Sequence, residues 1–480
     1  MCGLRQKIIA IRSISIIILF FLSTILYSQE SKQTEKQDPP TLKIPRAEEN
    51  YSYLKDSITN PYKKGFLDEL KYISFNSKKS IYLTLGGQYR ARLESYTNRN
   101  YEKGDQTFYS QRLNLNANLN LSKYARVFGE LYHGYTSDGE QITESDKLDI
   151  HQIFVEVRAI STDNQNLSFR FGRQELSLGS SRLIDSREGP NIRRSFDLAK
   201  VKYKINSTSL VVFYGKEVSI GFDAFDNEFN LFNSDATDPE IWGLGTQFPI
   251  KSLNGTNQLY YLGFKSKVAG FSDVFGEEKR HSIGLRRFGT IGKRLSYNTE
   301  IVYQFGDLDD NTISAFNIET DWNYKLINTK WKPTIGMKLD LSSGDKEAAD
   351  GKLQSFNPLF VRPSLYSLAS LNTPVNLTSF HPSITIYPFN KLSIFIEYAL
   401  FYRTSENDGL YTPPRFQLRT ADGISEKHIG DVVGLQIQYN MNRNITFDLK
   451  SNYFIPGDFI KRSGSSETYF YIAPTMSLKF

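Results

Sequence analysis

The sequence predicts an all-β protein, a transmembrane antiparallel β-barrel of about 18 strands with long extracellular loops and short periplasmic turns. Three observations carry this expectation. From Arg112 to Leu121 the chain alternates without error: Leu113, Leu115, Ala117, Leu119 and Leu121 share one face, and Arg112, Asn114, Asn116, Asn118 and Asn120 share the other. Period 2 means an extended strand. Ten residues is about the length at which a tilted strand crosses a bilayer, and an all-aliphatic face opposite an all-polar one suits a wall between lipid and water. The pattern also recurs to the C-terminus. Finally, the connections alternate between long and short.

The elements follow in order. Arg5, Lys7 and Arg12 precede an apolar run from Ile14 to Tyr27, then Ser28-Gln29 and a polar stretch. A basic start, a short apolar core and a small residue before the cut predict a signal peptide over residues 1–28. Residues 29–80 read as a polar periplasmic segment, with a short helix expected between Tyr51 and Leu70. The barrel is expected over 81–480. Its strands are placed at 81–96, 107–121, 124–133, 150–160, 166–175, 196–205, 208–215, 239–249 and 257–267. They continue at 280–288, 295–305, 312–324, 331–341, 379–387, 391–403, 429–440, 445–455 and 468–480. Ser122-Lys123, Asn206-Ser207, 388–390 and 440–444 make tight turns; 177–195, 216–239, 342–380 and 404–428 are long. A register slip is expected near Gly86-Gly87, and a bulge at Pro474, which lacks a ladder donor. The last strand aligns Phe470, Ile472, Pro474, Met476, Leu478 and the terminal Phe480 on one face.

Composition excludes several classes. A mean hydropathy of -0.42 is too polar for a helical membrane protein. The single cysteine, Cys2, lies in the expected signal peptide, so the mature chain has no disulfide and no cysteine-based metal site or nucleophile. A formal charge of +6, from 58 basic and 52 acidic residues, falls to +3 once Arg5, Lys7 and Arg12 are removed. That is too mild to indicate nucleic acid, and no nucleic-acid partner is expected. The 34 Phe, 29 Tyr and 3 Trp suit aromatic girdles at the membrane interfaces.

About eighteen strands enclose a bore too wide for wall side chains to fill, which makes passage through it the leading function class. The alternation assigns the lining. With Leu83, Leu85, Tyr89 and Leu93 facing lipid, Arg90, Arg92 and Glu94 face the lumen. Arg112 shares the Asn face. Leu167, Phe169 and Phe171 point out and Arg170 in. Ala199, Val201, Tyr203 and Ile205 point out and Lys200, Lys202 and Lys204 in. Ile335, Met337, Leu339 and Leu341 point out, with Lys332, Lys338 and Asp340 in. Rings of Arg and Lys select anions, and Arg adds planar, bidentate binding of carboxylates. The competing reading pairs these cations with Glu94, Glu130, Glu156 and Glu300 to stiffen the wall. Three lysines at two-residue spacing are hardest to explain that way.

The stretch FGRQELSLGSSRLIDSREGPNIRRSFD, Phe171 to Asp197, is similar to a signature of the alginate-export outer-membrane porin family. Matching positions include Gly172, Arg173, Gln174, Glu175, Leu176, Gly179, Arg182, Arg187, Asn191, Arg193 and Arg194. Tyr402, Arg403, Ser405, Asp408, Gly409 and Tyr411 resemble the family's Arg-containing strand end and Asp-Gly loop. Pro456 to Phe459 with Glu467 to Tyr471 resemble its last loop and strand. The resemblance implies an eighteen-strand outer-membrane barrel passing acidic polysaccharide through an Arg-rich constriction. Arg173, Arg182, Arg187, Arg193, Arg194 and Arg403 then join the lumen set. Glu175, Asp185, Glu188 and Asp197 are its orienting acids.

The expected partners are an anionic polysaccharide or small anionic solute, outer-membrane lipid, and the barrel-assembly machinery acting through Phe480. The nearer rival is a general anion or oligosaccharide uptake porin. An outer-membrane hydrolase is the rival from another class. Among His133, His151, His281, His381 and His428 none has metal-ligand spacing, although His133 and His151 could meet across a hairpin. No catalytic residue, metal or cofactor is expected.

Overall fold

The computed structural model describes residues 37–56, 60–139, 143–233, 238–250, 254–271, 274–413 and 416–480. The expected signal peptide lies outside them. Residues 37–40 and 60–65 make a small unit of their own, in which Gln37 bridges Tyr62 and Lys63 pairs with Asp38. The second unit contains residues 41–56 and 66–480.

That second unit is a closed antiparallel barrel of eighteen long strands. They are β1 (Tyr82–Thr97), β2 (Asp105–Asn120), β3 (Ala125–Thr136), β4 (Asp146–Ser161), β5 (Gln165–Gln174) and β6 (Phe196–Ile205). Next come β7 (Thr208–Glu217), β8 (Glu240–Ile250), β9 (Gly255–Phe271), β10 (Val274–Ile291), β11 (Leu295–Leu308) and β12 (Asn311–Lys325). The last are β13 (Thr334–Ser342), β14 (Leu377–Phe389), β15 (Leu392–Arg403), β16 (His428–Asn440), β17 (Ile445–Pro456) and β18 (Tyr469–Lys479). Each pairs with its sequence neighbour, and β18 pairs with β1 to close the ring. Closure leaves no strand edge unpaired, the condition for a sheet to stand in lipid.

The outer face carries the aliphatic stripes. Leu113, Leu115, Ile153, Val155, Phe169, Phe171 and Val212 are all exposed. The opposite face of β2 is buried, with Arg112, Asn114, Asn116, Asn118 and Asn120 inside.

Three local expectations are corrected. β1 runs in unbroken register against β2 through Gly86 and Gly87, with no slip. The glycines are there for space. A Cβ on inward Gly86 would stand 3.0 Å from both Arg46 Nη2 and Lys71 Nζ, and one on Gly87 would stand 2.8 Å from the Phe480 ring. Pro474 makes no bulge either: β18 keeps one register against β1, and only the pairing opposite Leu93 and Glu94 lapses. The alternation of loop lengths is also imperfect. β9 and β10 run on to a two-residue connection, 272–273, and β11 and β12 to another, 309–310, both at the long-loop end, whereas 326–333 is an eight-residue turn at the other.

Long loops fold into the bore. Residues 175–195 and 343–376 meet there, Ile184 bridging Phe360. Asp185 N donates to Phe360 O at 3.0 Å and Phe360 N to Leu183 O at 2.8 Å. Leu183, Ile184, Phe196, Phe356 and Phe360 pack together, none above 3% exposed. A short helix, α1 (Asp458–Ser463), and a small hairpin pairing Leu410–Thr412 with Phe416–Arg419 complete the long-loop end. The single helix expected between Tyr51 and Leu70 is absent from the described residues there. Ser52–Lys55 and Asp68–Lys71 form 3-10 turns instead.

Candidate functional site: a cationic vestibule

A cavity of about 1220 Å³ lies at the short-turn end of the barrel, lined by Ser122, Lys123, Ser161, Asn166 and Ser209, among others. The inward loop bounds it through Glu175, Leu176, Ser177 and Leu178. Nine basic side chains line it: Lys55, Lys79, Lys123, Arg126, Arg158, Arg170, Lys200, Lys202 and Lys204. Four acids do: Glu48, Glu49, Glu156 and Glu175. Nine minus four leaves a formal excess of +5.

Glu156 organises the arginines. It accepts from Arg126 Nε at 3.1 Å, from Arg158 Nε at 3.0 Å and from Arg170 Nε at 2.8 Å. Lys200 stands directly across the ladder from Arg170, and Lys202 across from Ser168. None of Lys200, Lys202 and Lys204 forms an ion pair with a described residue, and Lys202 and Lys204 are exposed.

Residues 41–56 also lie on this wall, where the sequence reading expected only a periplasmic segment. Ala47 packs on the stacked rings of Phe128 and Phe154. Arg126 Nη1 donates to Ala47 O at 2.7 Å, and Arg193 Nη1 to Ile44 O at 3.0 Å. Glu48 accepts from Arg170 Nη2 at 2.9 Å. Arg46 donates to the carbonyl of the terminal residue, Phe480. Burial works to raise the Glu48 pKa, but Arg170, Lys200, Arg126 and Lys202 outweigh it and hold the carboxyl down at about 2.

Deeper in the bore, the expected lumen arginines are occupied in holding the inward loop. Arg90 donates to the carbonyls of Glu188, Gly189 and Pro190 and to Asn191 Oδ1, at 2.9 to 3.1 Å. Arg92 donates to Gly189 O at 2.7 Å and pairs with Glu94 at 2.8 Å. Arg112 pairs with Glu188, and Arg193 with Glu175 at 2.7 Å and Glu188 at 3.3 Å. Glu188, drawn to Arg112 and Arg193 against the pull of burial, is held well below the usual carboxylate range. Arg182 pairs with Glu319, and Arg194 with Glu217 at 2.7 Å. Arg187 donates to Ile192 O. Lys338 donates to Leu365 O on the second inward loop.

Several expected site residues stand elsewhere. Arg173 shares the outward parity of Phe169 and Phe171, as Asp197 shares that of Ala199 and Val201. The two pair at 2.8 Å beneath the 218–233 loop, whose Glu228 carbonyl Arg173 holds at 2.7 Å. They fasten that loop rather than line the lumen. Arg403 faces inward, but its guanidinium caps the carbonyls of Glu406, Asp408, Ile424 and Glu426 and lies 3.8 Å over the Phe459 ring. Asp185 orients Arg362 of the second loop, at 2.6 Å, and of the expected arginines only the backbone N–H of Arg187. Lys332 sits in the exposed 326–333 turn. His133 points outward and His151 inward, so they do not meet.

His151 instead joins Glu130 and Glu175, with ligand atoms within 4.8 Å of one another. His151 Nε2 bonds Glu175 Oε1 at 2.9 Å, Arg193 takes the other Glu175 oxygen, and Asn114 donates to Glu130 at 3.1 Å. The Arg193 guanidinium supplies the positive charge that a cation would bring, so the group stands as a closed hydrogen-bonded network.

A closed barrel with an apolar exterior and a charged vestibule has the build of an outer-membrane channel. The chain belongs to the alginate export family, whose model matches residues 81–473. Solved porin structures share the fold. Pseudomonas aeruginosa OccK2 (OpdF) superposes with a TM-score of 0.54 at 14% identity, covering 82% of this chain and 98% of its own. The same porin in complex with glucuronate gives 0.54 at 12%, covering 82% and 98%. A BenF-like porin from Pseudomonas fluorescens Pf-5 gives 0.54 at 12%, covering 83% and 98%. No curated protein matches significantly.

Proposed function

We propose that this channel passes anionic saccharides of the uronate type, selected by the vestibule cations. The observation that carries the reading is the lysine row Lys200, Lys202 and Lys204, which has no ion-pair partner among the described residues on a wall whose arginines are paired. Cationic rings draw anions by long-range attraction. Asn118, Asn120 and Asn166 on the same wall offer amide groups to sugar hydroxyls. Glucuronate in the OccK2 complex is a carboxylated sugar of the proposed class. Flow is passive and follows the gradient, so polymer export and anion uptake use one selectivity.

The test is the reversal potential of the purified barrel in a planar bilayer under a KCl gradient. Anion selectivity, with reversible block by glucuronate, is the expected result. Cation selectivity overturns the reading.

A further inference from the structure

Glu48, on residues 41–56, ion-pairs with a cation of the barrel wall, and its surroundings are those a bound sugar carboxylate needs. Arg170 Nη2 meets it at 2.9 Å. Lys200 and Lys202 stand beside Arg170 on β6, facing the same cavity. Arg170 does not depend on Glu48 for its orientation, because Glu156 holds its Nε and Nη2 at 2.8 and 2.5 Å. With Glu48 withdrawn, two ammonium groups that make no ion pair with a described residue remain beside a guanidinium that shares Glu156 with Arg126 and Arg158. The Glu48 side chain is 45% exposed, so its carboxylate sits where a solute can exchange with it.

We propose that Arg170, Lys200 and Lys202 form a uronate-carboxylate subsite that Glu48 fills in the resting protein, making residues 41–56 a built-in, displaceable competitor. This rests on the anion-selective reading above. The competition has the right scale. A tethered group acts at an effective concentration of about millimolar, which one uronate matches only at similar concentration. A polymer presenting several carboxylates displaces it more readily by the same arithmetic. The rest of the segment stays anchored during exchange through the carbonyls of Ile44 and Ala47.

The experiment is single-channel block by D-glucuronate, comparing the wild type with Glu48→Gln and with the double variant Glu48→Gln/Arg170→Gln. Heat-modifiability on gels verifies a folded barrel in each. The expected result is a roughly tenfold lower half-blocking concentration in Glu48→Gln, a factor matching removal of about 1.4 kcal/mol of competition. That gain is lost in the double variant. Equal half-block in wild type and Glu48→Gln, with chloride selectivity intact, overturns the subsite and leaves the channel reading standing. A gain that survives Arg170→Gln also overturns it. Absence of block in every variant of an anion-selective channel removes the subsite, and cation selectivity removes both proposals.

Discussion

Replacing Lys200, Lys202 and Lys204 together by Gln takes the vestibule from nine cations and four acids to six and four, a fall in formal charge from +5 to +2. A unit charge about 8 Å from a passing anion contributes about 0.5 kcal/mol in bulk water. Screening over one Debye length at about 0.15 M salt cuts this to about 0.2 kcal/mol. Three lysines then supply about 0.6 kcal/mol, about a threefold change in anion occupancy, and more where the protein wall lowers the effective dielectric. The lysines make no ion pair with a described residue, and Glu48, which loses the nearby charges of Lys200 and Lys202, keeps its contact with Arg170, so the barrel remains stable. Reversal potentials at low and high KCl read the effect. The same field excludes cations, so the anion-to-cation permeability ratio is expected to fall about eightfold at physiological salt and to change little at about 1 M, where the Debye length is about 3 Å. An unchanged ratio at low salt, or an equal drop at both, refutes the argument that these lysines act as a diffuse field.

Arg173→Gln tests which face the guanidinium occupies. Breaking its buried pair with Asp197 is expected to cost about 3 kcal/mol in denaturant unfolding while selectivity stays unchanged; a selectivity shift with no loss of stability places it in the lumen. Leu115→Lys puts a charge on the lipid face of β2 and is expected to cost about 2–4 kcal/mol of folding into vesicles, read by denaturant titration; an unchanged folding free energy places Leu115 away from lipid. The Glu48 contact is expected to respond to acid. With its pKa held down at about 2 by Arg170, Lys200, Arg126 and Lys202, against an ordinary value of 4.5, its contribution is complete above 4.5 and lost as pH falls through about 2. The effect is modest for so exposed a carboxylate. The difference in glucuronate block between wild type and Glu48→Gln therefore stays constant from pH 7 to 5 and shrinks below about 4; a difference independent of pH down to 2 argues against an ionised Glu48 as the competitor.

Period-2 alternation made the barrel wall legible, because a one-residue error would have turned each stripe from lipid to water. Lys200, Lys202 and Lys204 were assigned by that rule alone. Arg173 was misplaced because motif membership was given more weight than parity: counting on from Phe169 and Phe171 puts it outside. The interior filling was less legible, since loops have no period. Its signal was compositional, in apolar residues such as Leu183, Ile184, Phe356 and Phe360 set within otherwise polar connections. The seat of residues 41–56 left almost no trace, because 3-10 turns are too short to carry a repeat. Gly86, read as a slip, was the hint, an inward position emptied so that Arg46 and Lys71 could approach.

Arginine and lysine divide the work by their chemistry. The guanidinium offers five donors in a fixed fork, and here Arg90 and Arg403 spend theirs mainly on backbone carbonyls of loops that carry no ladder of their own. Buried carbonyls need such partners, so the arginine-rich signature reads first as the means of folding loops into the bore. A channel also requires that its solute leave, so the groups it passes must attract without gripping. A hydrated ammonium on a flexible stem does that better than a fork already shaped for carboxylate. On the vestibule wall Arg126, Arg158 and Arg170 gather on Glu156, and Arg170 also turns its fork to a carboxylate from residues 41–56.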